Sequence, residues 1–203
     1  MSRQLYFVTG TDTGIGKTWA SCALLRAAAA QGKRTLGLKP VAAGCEETPE
    51  GLRNEDALAL QAASSVSLPY AQVNPIALRA PLSPHLAAAR DGVRVRAAQV
   101  TGLVRGAVMQ ARADLVLVEG AGGWRVPLNE TETLADVARE LGAPVLLVVG
   151  LRLGCLNHAL LTAEAIRRDG LVLAGWIGNA IDPQMRSREE NVATLAAALG
   201  APL

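Results

Sequence analysis

The chain has 203 residues, of which 50% are hydrophobic, 3% aromatic and 19% charged, and its formal net charge at pH 7 is +2. This length and composition predict one globular domain, residues 1–203, and exclude a disordered chain. The sequence contains no run of five like charges. A basic arm for nucleic acid and an acidic tail are therefore not indicated.

The apolar runs are far too short to cross a membrane, and the first residues lead into a predicted strand rather than a signal peptide. Three cysteines, Cys22, Cys45 and Cys155, lie far apart without CxxC spacing, which argues against a disulfide framework and a zinc site. We therefore expect a cytoplasmic protein with neither nucleic acid nor membrane among its partners.

Short apolar runs in chain order predict five strands, at residues 5–8, 35–39, 115–118, 145–149 and 172–177. Helices are predicted at residues 17–31, 97–111, 133–141, 157–168 and 187–199, with Gly170 and Gly200 following the last two. Strands without polar alternation are typical of a parallel sheet that is buried on both faces. The pattern predicts an α/β fold, a mainly parallel sheet flanked by helices on both faces.

Residues 42–96 are less regular and contain most of the prolines. One helix is predicted there at residues 55–63, and a second is expected to begin at Ser83-Pro84, with the serine as cap and the proline in the first turn. A long excursion between sheet strands is where functional loops usually lie, although surface packing explains it as well.

A glycine-rich segment, GTDTGIGKT, connects the first predicted strand to the first predicted helix. This is the context of a phosphate-binding loop, here one residue longer than the strict GxxxxGK[ST] spacing because Thr11 stands where that spacing requires glycine. Backbone amides of Thr13, Gly14, Ile15 and Gly16 are expected to face phosphates. Lys17 is expected to neutralise phosphate oxygens, and the Thr18 hydroxyl to ligate Mg²⁺. The fold is thus predicted to be P-loop NTPase-like.

Two carboxylates are candidates for holding a metal ion at this site. Glu119 follows a buried strand and precedes several glycines, so it is placed at the carboxyl end of the sheet, where ligands of open α/β sheets bind. Asp56 lies near a predicted helix start, where interaction with the helix dipole explains an acid equally well. Its spacing alone leaves both roles open.

Lys39 ends the second predicted strand and precedes Pro40, so its ammonium is expected at the same sheet edge as the phosphate loop. A second lysine at a phosphate site indicates phosphoryl transfer, because one lysine can hold the donor while the other balances charge on the transferred group. A lysine that merely extends to solvent from a strand end is the alternative.

Eight segments of this chain, in the same order, resemble dethiobiotin synthetases over nearly the whole length. They are GTDTGIGKT, LKPVAAG, GLRNEDALAL, VNP, LSPH, VEGAGGW, VVGLRLGCLNHALLT and AGWIGN. The resemblance implies an enzyme of biotin biosynthesis that converts 7,8-diaminopelargonic acid, CO₂ and ATP into dethiobiotin with Mg²⁺.

The resemblance also implies residue roles. By matching position, Lys17 binds ATP phosphates, Lys39 contacts the γ-phosphate and the substrate carbamate, and Thr18, Asp56 and Glu119 hold Mg²⁺. The family pattern further implies the following contacts: Thr13 borders the site, Gly122 contacts diamine and carbamate through its backbone, Cys155 and Asn157 meet the substrate carboxylate from the partner subunit of a homodimer, and Asn179 recognises the purine.

This chain departs from the family pattern in three places. Ala43 stands where many members have serine, Gly14 replaces a glutamate of some members, and the sequence ends at Leu203 where the family continues into a strand and helix that help enclose the base. We therefore expect a missing hydroxyl near the carbamate and weaker selection for adenine.

Two other classes of function are compatible with a phosphate loop. A nucleotide-switch ATPase of the partition or iron-protein kind carries a lysine five residues before the loop lysine, where this chain has Asp12. An ATP-dependent amidoligase of the cobyrinic acid type would need a glutaminase domain and its catalytic cysteine, for which 203 residues leave no room.

Overall fold

The computed structural model describes residues 3–203. In chain order the strands are β1 (Gln4–Gly10), β2 (Thr35–Leu38), β3 (Val41–Ala43), β4 (Glu46–Thr48), β5 (Gly51–Arg53), β6 (Ile76–Leu78), β7 (Leu115–Gly123), β8 (Val145–Gly150) and β9 (Leu173–Asn179). The helices are α1 (Lys17–Ala30), α2 (Glu55–Ala63), α3 (Tyr70–Val73), α4 (Pro84–Arg90), α5 (Ala97–Ala111), α6 (Leu134–Leu141), α7 (Cys155–Arg168) and α8 (Arg188–Leu199).

Five strands form the central sheet in the order β2-β7-β1-β8-β9, and every neighbouring pair is parallel. All five are the strands that the apolar runs predict, with ends that differ by a few residues. The second strand ends at Leu38, so Lys39 is the first residue beyond it, and the last strand begins at Leu173 instead of Val172. The carboxyl ends of β1, β2 and β7 therefore meet at one edge of the sheet.

The sheet separates two hydrophobic cores because successive side chains of a strand point to opposite faces. In β7, Leu115 and Leu117 contact the smaller core under α1 and α2, while Val116 and Val118 contact the larger core under α5 to α8. The predicted parallel sheet with helices on both faces is confirmed. Within residues 3–203, none of the helices has the length and apolar character needed to cross a membrane.

The irregular segment between β2 and α5 folds over the carboxyl edge of the sheet. Its predicted helix at residues 55–63 is confirmed as α2, and α4 begins with Pro84 after Ser83, as expected. The expected serine cap is wrong, because the Ser83 hydroxyl lies 3.1 Å from Nδ1 of His85 instead of bonding a helix amide. Sequence patterns also missed the parallel β3–β6 pair and the β4–β5 hairpin, whose three-residue strands are too short for a periodic signal.

Candidate active site

The glycine-rich segment forms the predicted loop between β1 and α1. Gly14 and Gly16 have φ values of +70° and +86°, a left-handed conformation that favours glycine. A Cβ at Gly16 would also collide with the side-chain amide of Asn179. Since α1 begins at Lys17, the amides at its N-terminus lack helical acceptors and can bind an anion. The local backbone is thus shaped for phosphate oxygens.

Lys17 is buried beside this loop, and its Nζ donates to the Asp12 carbonyl oxygen at 3.0 Å. Burial, together with the nearby charge of Lys39, lowers the pKa of Lys17 to about 8. The ammonium therefore lies in a place where its charge is poorly compensated. An anion in the loop would supply the missing negative charge.

Glu119 is expected just after its strand, but β7 continues to Gly123, so Glu119 lies within it and is fully buried, at 0% exposure. Its Oε1 accepts hydrogen bonds from Thr18 Oγ1 at 2.8 Å and from Lys39 Nζ at 2.7 Å, and its Oε2 accepts one from Ser21 Oγ at 3.0 Å. A buried carboxylate is tolerated only with such partners. Glu119 thereby joins α1, β7 and the end of β2 beneath the phosphate loop.

Lys39 connects the two candidate metal ligands. Its Nζ donates to Glu119 Oε1 at 2.7 Å, to Asp56 Oδ2 at 3.0 Å and to the Gly120 carbonyl oxygen at 3.1 Å. These are three acceptors, the number that an ammonium can serve. Burial alone would lower the pKa of Lys39, but the charges of Glu119 and Asp56 outweigh it and raise that pKa. Lys39 therefore remains a cation at neutral pH.

Asp56 lies in the first turn of α2, whose N-cap residue Asn54 accepts a hydrogen bond from the Ala57 amide at 3.2 Å. Burial would raise the pKa of Asp56, but the neighbouring Lys39 ammonium and the Thr18 hydroxyl lower it overall. The Asp56 carboxylate therefore contacts Lys39 as well as lying at a helix start, and its role as a metal ligand stays a prediction.

Thr18, Asp56 and Glu119 belong to one hydrogen-bonded group, because Thr18 Oγ1 donates to Glu119 and Lys39 Nζ donates to both carboxylates. Hydroxyl and carboxylate oxygens are the ligands that Mg²⁺ takes, usually few from the protein, with phosphate and water completing the shell. No cluster of three His, Cys, Asp or Glu side chains suited to a metal exists among residues 3–203. The donor set therefore fits a hard cation shared with phosphate and does not fit a cage built from protein alone.

A cavity of about 920 Å³ opens beside these groups. Its wall brings together residues predicted from distant parts of the sequence: Thr13, Gly14, Gly16, Lys17, Thr18, Lys39, Ala43, Asp56 and Gly122. Gly122 has a φ of +64°, and a Cβ there would lie 2.9 Å from Val126 Cγ2 and 3.3 Å from Thr13 Oγ1. Backbone at Gly122 can therefore approach a ligand in this cavity closely.

Five predicted residues are not on the cavity wall: Ile15 and Glu119 are buried next to it, and Asn179, Cys155 and Asn157 belong to other parts of the fold. Asn179, at the end of β9, donates from Nδ2 to the Ile15 carbonyl oxygen at 2.8 Å, so it supports the phosphate loop from behind. Cys155 is buried at the start of α7 and Asn157 is exposed in the same turn. Among residues 3–203, the cavity wall of this subunit includes neither Cys155 nor Asn157.

Sequence reasoning missed three contributors to the site. Arg152 donates to Asp12 Oδ2 at 2.6 Å, a contact across 140 positions that no local pattern indicates. Ser21 bonds Glu119, and its spacing of three residues from Thr18 on one helix could have revealed it. Tyr70 lies under α2, where its hydroxyl accepts from the Asn54 amide at 2.7 Å.

Comparisons with known proteins agree with this geometry. A family model described as an AAA domain matches residues 4–203. A protein named ATP-dependent dethiobiotin synthetase BioD from Marinobacter nauticus is 59% identical over 100% of this chain and 86% of its own length. The protein of the same name from Cellvibrio japonicus is 56% identical over 100% of this chain and 88% of its own length.

Solved structures with a similar fold are more distant in sequence. Chloroplast FtsY from Physcomitrella patens aligns with a TM-score of 0.57 at 22% identity, over 100% of this chain and 57% of that protein. The signal recognition particle 54 kDa protein from Aeropyrum pernix, in complex with GDP, gives 0.58 at 17% identity, over 100% of this chain and 41% of that one. Likeness at this level shows the fold alone.

Proposed function

Because this chain belongs to the family of ATP-dependent dethiobiotin synthetases, we propose that it closes a cyclic urea on 7,8-diaminopelargonic acid with CO₂, ATP and Mg²⁺, as one domain over residues 1–203. One amine attacks CO₂ and loses a proton to give a carbamate. A carbamate oxygen then attacks the γ-phosphorus and releases ADP. The second amine attacks the carbonyl carbon of this mixed anhydride and loses a proton, and phosphate leaves.

No protein nucleophile takes part in this sequence, so the protein contributes orientation and charge neutralisation. Lys17 and the backbone amides of residues 13–18 bind the phosphates, and the buried, poorly compensated charge of the Lys17 ammonium favours uptake of an anion beside it. Asn179 contacts the adenine base. Its amide is close enough to the loop for base and phosphate contacts to be made together, since it already bonds Ile15.

Lys39 acts on the group being transferred. Its ammonium stays charged and borders the cavity beside Gly120 and Gly122, where the carbamate and γ-phosphate would meet. Mg²⁺, held by Thr18, Asp56 and Glu119, would neutralise charge on the phosphate oxygens. The fixed charges of Lys17 and Lys39 then stabilise the spread negative charge of the transition state.

The diamine lies along the backbone of Gly122 in this proposal. Ala43 lines the cavity without a hydroxyl, so a water molecule or a backbone amide takes that contact with the carbamate. The distal carboxylate of the substrate is bound by Cys155 and Asn157 of the second subunit in a homodimer. The exposed side chain of Asn157 is free to make such a contact, whereas Cys155 is buried in its own subunit.

The single observation that carries the proposal is the convergence of Lys17, Lys39 and Asp56 on the wall of one cavity next to the phosphate loop, with Glu119 buried behind Thr18 and Lys39. The test is release of ADP in the presence of Mg²⁺, with and without the diamine and bicarbonate, and mass analysis of the product. ADP release that depends on the diamine, with dethiobiotin as product, is expected. ATP hydrolysis without the diamine would instead indicate a nucleotide switch, and a requirement for an amide nitrogen source would indicate an amidoligase.

A further inference from the structure

A buried chain of hydrogen bonds connects α2 to the residue that follows β2. The Asn54 amide donates to the Tyr70 hydroxyl at 2.7 Å, and that hydroxyl donates to Asn74 Oδ1 at 3.0 Å. Asn74 Nδ2 in turn donates to the Lys39 carbonyl oxygen at 2.7 Å. Asn54, Asn74 and Lys39 are 8%, 3% and 4% exposed and Tyr70 is half-buried, so three of the four residues are shielded from solvent.

The chain of bonds closes into a ring through the active site. Asn54 caps α2 two residues before Asp56, and the Asp56 carboxylate returns to Lys39 through the contact of 3.0 Å with Nζ. The backbone of Lys39 is also bonded to α3, because its amide donates to the Val73 carbonyl oxygen at 2.9 Å. The ring thereby sets the distance between the helix that carries Asp56 and the strand end that carries Lys39.

Tyr70 links the two halves of this ring, because its hydroxyl bonds both Asn54 and Asn74. Its hydroxyl has one donor and one acceptor contact in the ring, and the Arg53 guanidinium lies over its aromatic face, 4.3 Å from the ring centre. Arg53 and Asn54 are consecutive, so the aromatic face and the hydroxyl both hold the segment that enters α2. A phenylalanine would keep the face and remove only the hydroxyl.

We propose that Tyr70 is a positioning residue, which sets the Asp56 carboxylate against the Lys39 ammonium for phosphoryl transfer without touching substrate itself. The inference rests on the proposed function, because its kinetic consequence is measured in that reaction. Partners that orient ligands and charged groups in this way affect activity by about 10–100-fold when they are removed.

The test compares Tyr70→Phe with Tyr6→Phe, which removes a hydroxyl from β1, outside the ring, in the same 203-residue chain. We expect Tyr70→Phe to lower kcat for diamine-dependent ADP release about tenfold, with little change in ADP affinity because the phosphate loop is not part of the ring. Tyr6→Phe should behave as wild type. Circular dichroism and Tm measured on all three proteins report whether the fold is kept.

Hydrogen exchange provides a readout that does not depend on activity. The Asn54 amide loses its acceptor in Tyr70→Phe, so the amides of residues 54–58 should exchange faster, whereas those of the phosphate loop should not change. Exchange and kcat equal to those of Tyr6→Phe would overturn the inference. If kcat, ADP affinity and Tm all fall markedly in Tyr70→Phe, the inference is also overturned, because this result shows a general structural role. If wild-type protein forms no dethiobiotin, the proposed function fails, while the exchange data still decide whether the ring holds α2.

Discussion

The ammonium of Lys39 lies 2.7 Å from the carboxylate of Glu119, and both side chains are almost completely shielded from solvent, at 5% and 0% exposure. Two opposite charges in such a place are tolerated as a pair, whereas either one alone is costly. The same two groups are candidates for phosphoryl transfer and for metal binding. This contact therefore affects both stability and activity. Single and double substitutions can distinguish the two effects.

Replacing Lys39 by methionine should leave Glu119 and Asp56 without their shared cation. We expect Lys39→Met to lower the free energy of unfolding by about 3–5 kcal/mol, the usual cost of breaking a buried ion pair. The double variant Lys39→Met/Glu119→Gln should regain a large part of this loss, because no buried charge is left unpaired at Glu119. Urea unfolding measures both.

Neither variant should regain turnover, since the positive charge near the transferred group is missing in both. In Lys39→Met, kcat should fall more than ATP affinity, because this charge acts on negative charge that develops as the phosphoryl group moves. A higher dissociation constant for ATP with an unchanged kcat would show that Lys39 binds the ground state only. Lys33→Met, a change at a lysine outside the cavity, is the control.

The pKa of Lys17 is shifted in the opposite direction from that of Lys39. Because burial and the charge of Lys39 lower its pKa to about 8, the charged form costs the folded state free energy at pH 7, and that cost shrinks as pH rises through 8 and is gone above 10.5, the ordinary lysine value. We expect Lys17→Met to unfold at a Tm no lower than wild type, while diamine-dependent turnover falls about 100–1000-fold. Thermal unfolding and ADP release test the two halves separately. Retained turnover in a folded Lys17→Met protein would contradict the role of the phosphate loop.

The sequence predicted those features that depend on residues close together in the chain. The five strands of the sheet were predictable because each is a continuous apolar run, and the loop before Lys17 was predictable because left-handed backbone at Gly14 and Gly16 requires glycine. Lys39 was placed correctly at the sheet edge because it follows a strand directly.

Contacts between distant segments were not predictable in the same way. The pairing of Asp12 with Arg152 and the bond from Tyr70 to Asn54 depend on how loops meet above the sheet, and polar residues in loops carry no periodicity. Three-residue strands such as Val41–Ala43 also give too few positions for an alternating pattern. What the sequence lacked was thus the way in which distant loops meet, including the segment between β2 and α5.

Asp136 stabilises the start of α6 as a charged acceptor. Its Oδ2 accepts from the Thr133 amide at 2.7 Å and from the Thr133 hydroxyl at 2.9 Å, and Arg139 lies 3.1 Å from Oδ1. Burial would raise the pKa of Asp136, but these bonds and the charge of Arg139 lower it below the ordinary value of 3.8. The contribution of a lowered carboxyl pKa is complete above pH 3.8 and is lost as pH falls through the folded pKa.

Asp136→Ala should therefore lower the free energy of unfolding by about 1 kcal/mol at pH 7, the usual value of a helix cap. The difference from wild type should shrink as pH falls below 3.8. Urea unfolding at a series of pH values measures it, with Glu140→Ala, near the other end of the same helix, as control. A difference that is constant from pH 7 to pH 3 would show that the charge of Asp136 contributes nothing.

The shared site of the proposed homodimer can be tested by mixing inactive subunits. If the first turn of α7 serves the cavity of its partner, the Lys17 and Asn157 of one complete site come from different chains. A hybrid of Lys17→Met with Asn157→Ala then contains one site with both residues intact and one with neither. Mixed at equal amounts, with random exchange, half of the dimers are hybrids with one working site, so about a quarter of the wild-type activity should return. Each variant alone should stay inactive after the same treatment, and a mass-tagged subunit verifies exchange. If exchange is complete and no activity returns, Lys17 and Asn157 act within one chain or the sites are not shared.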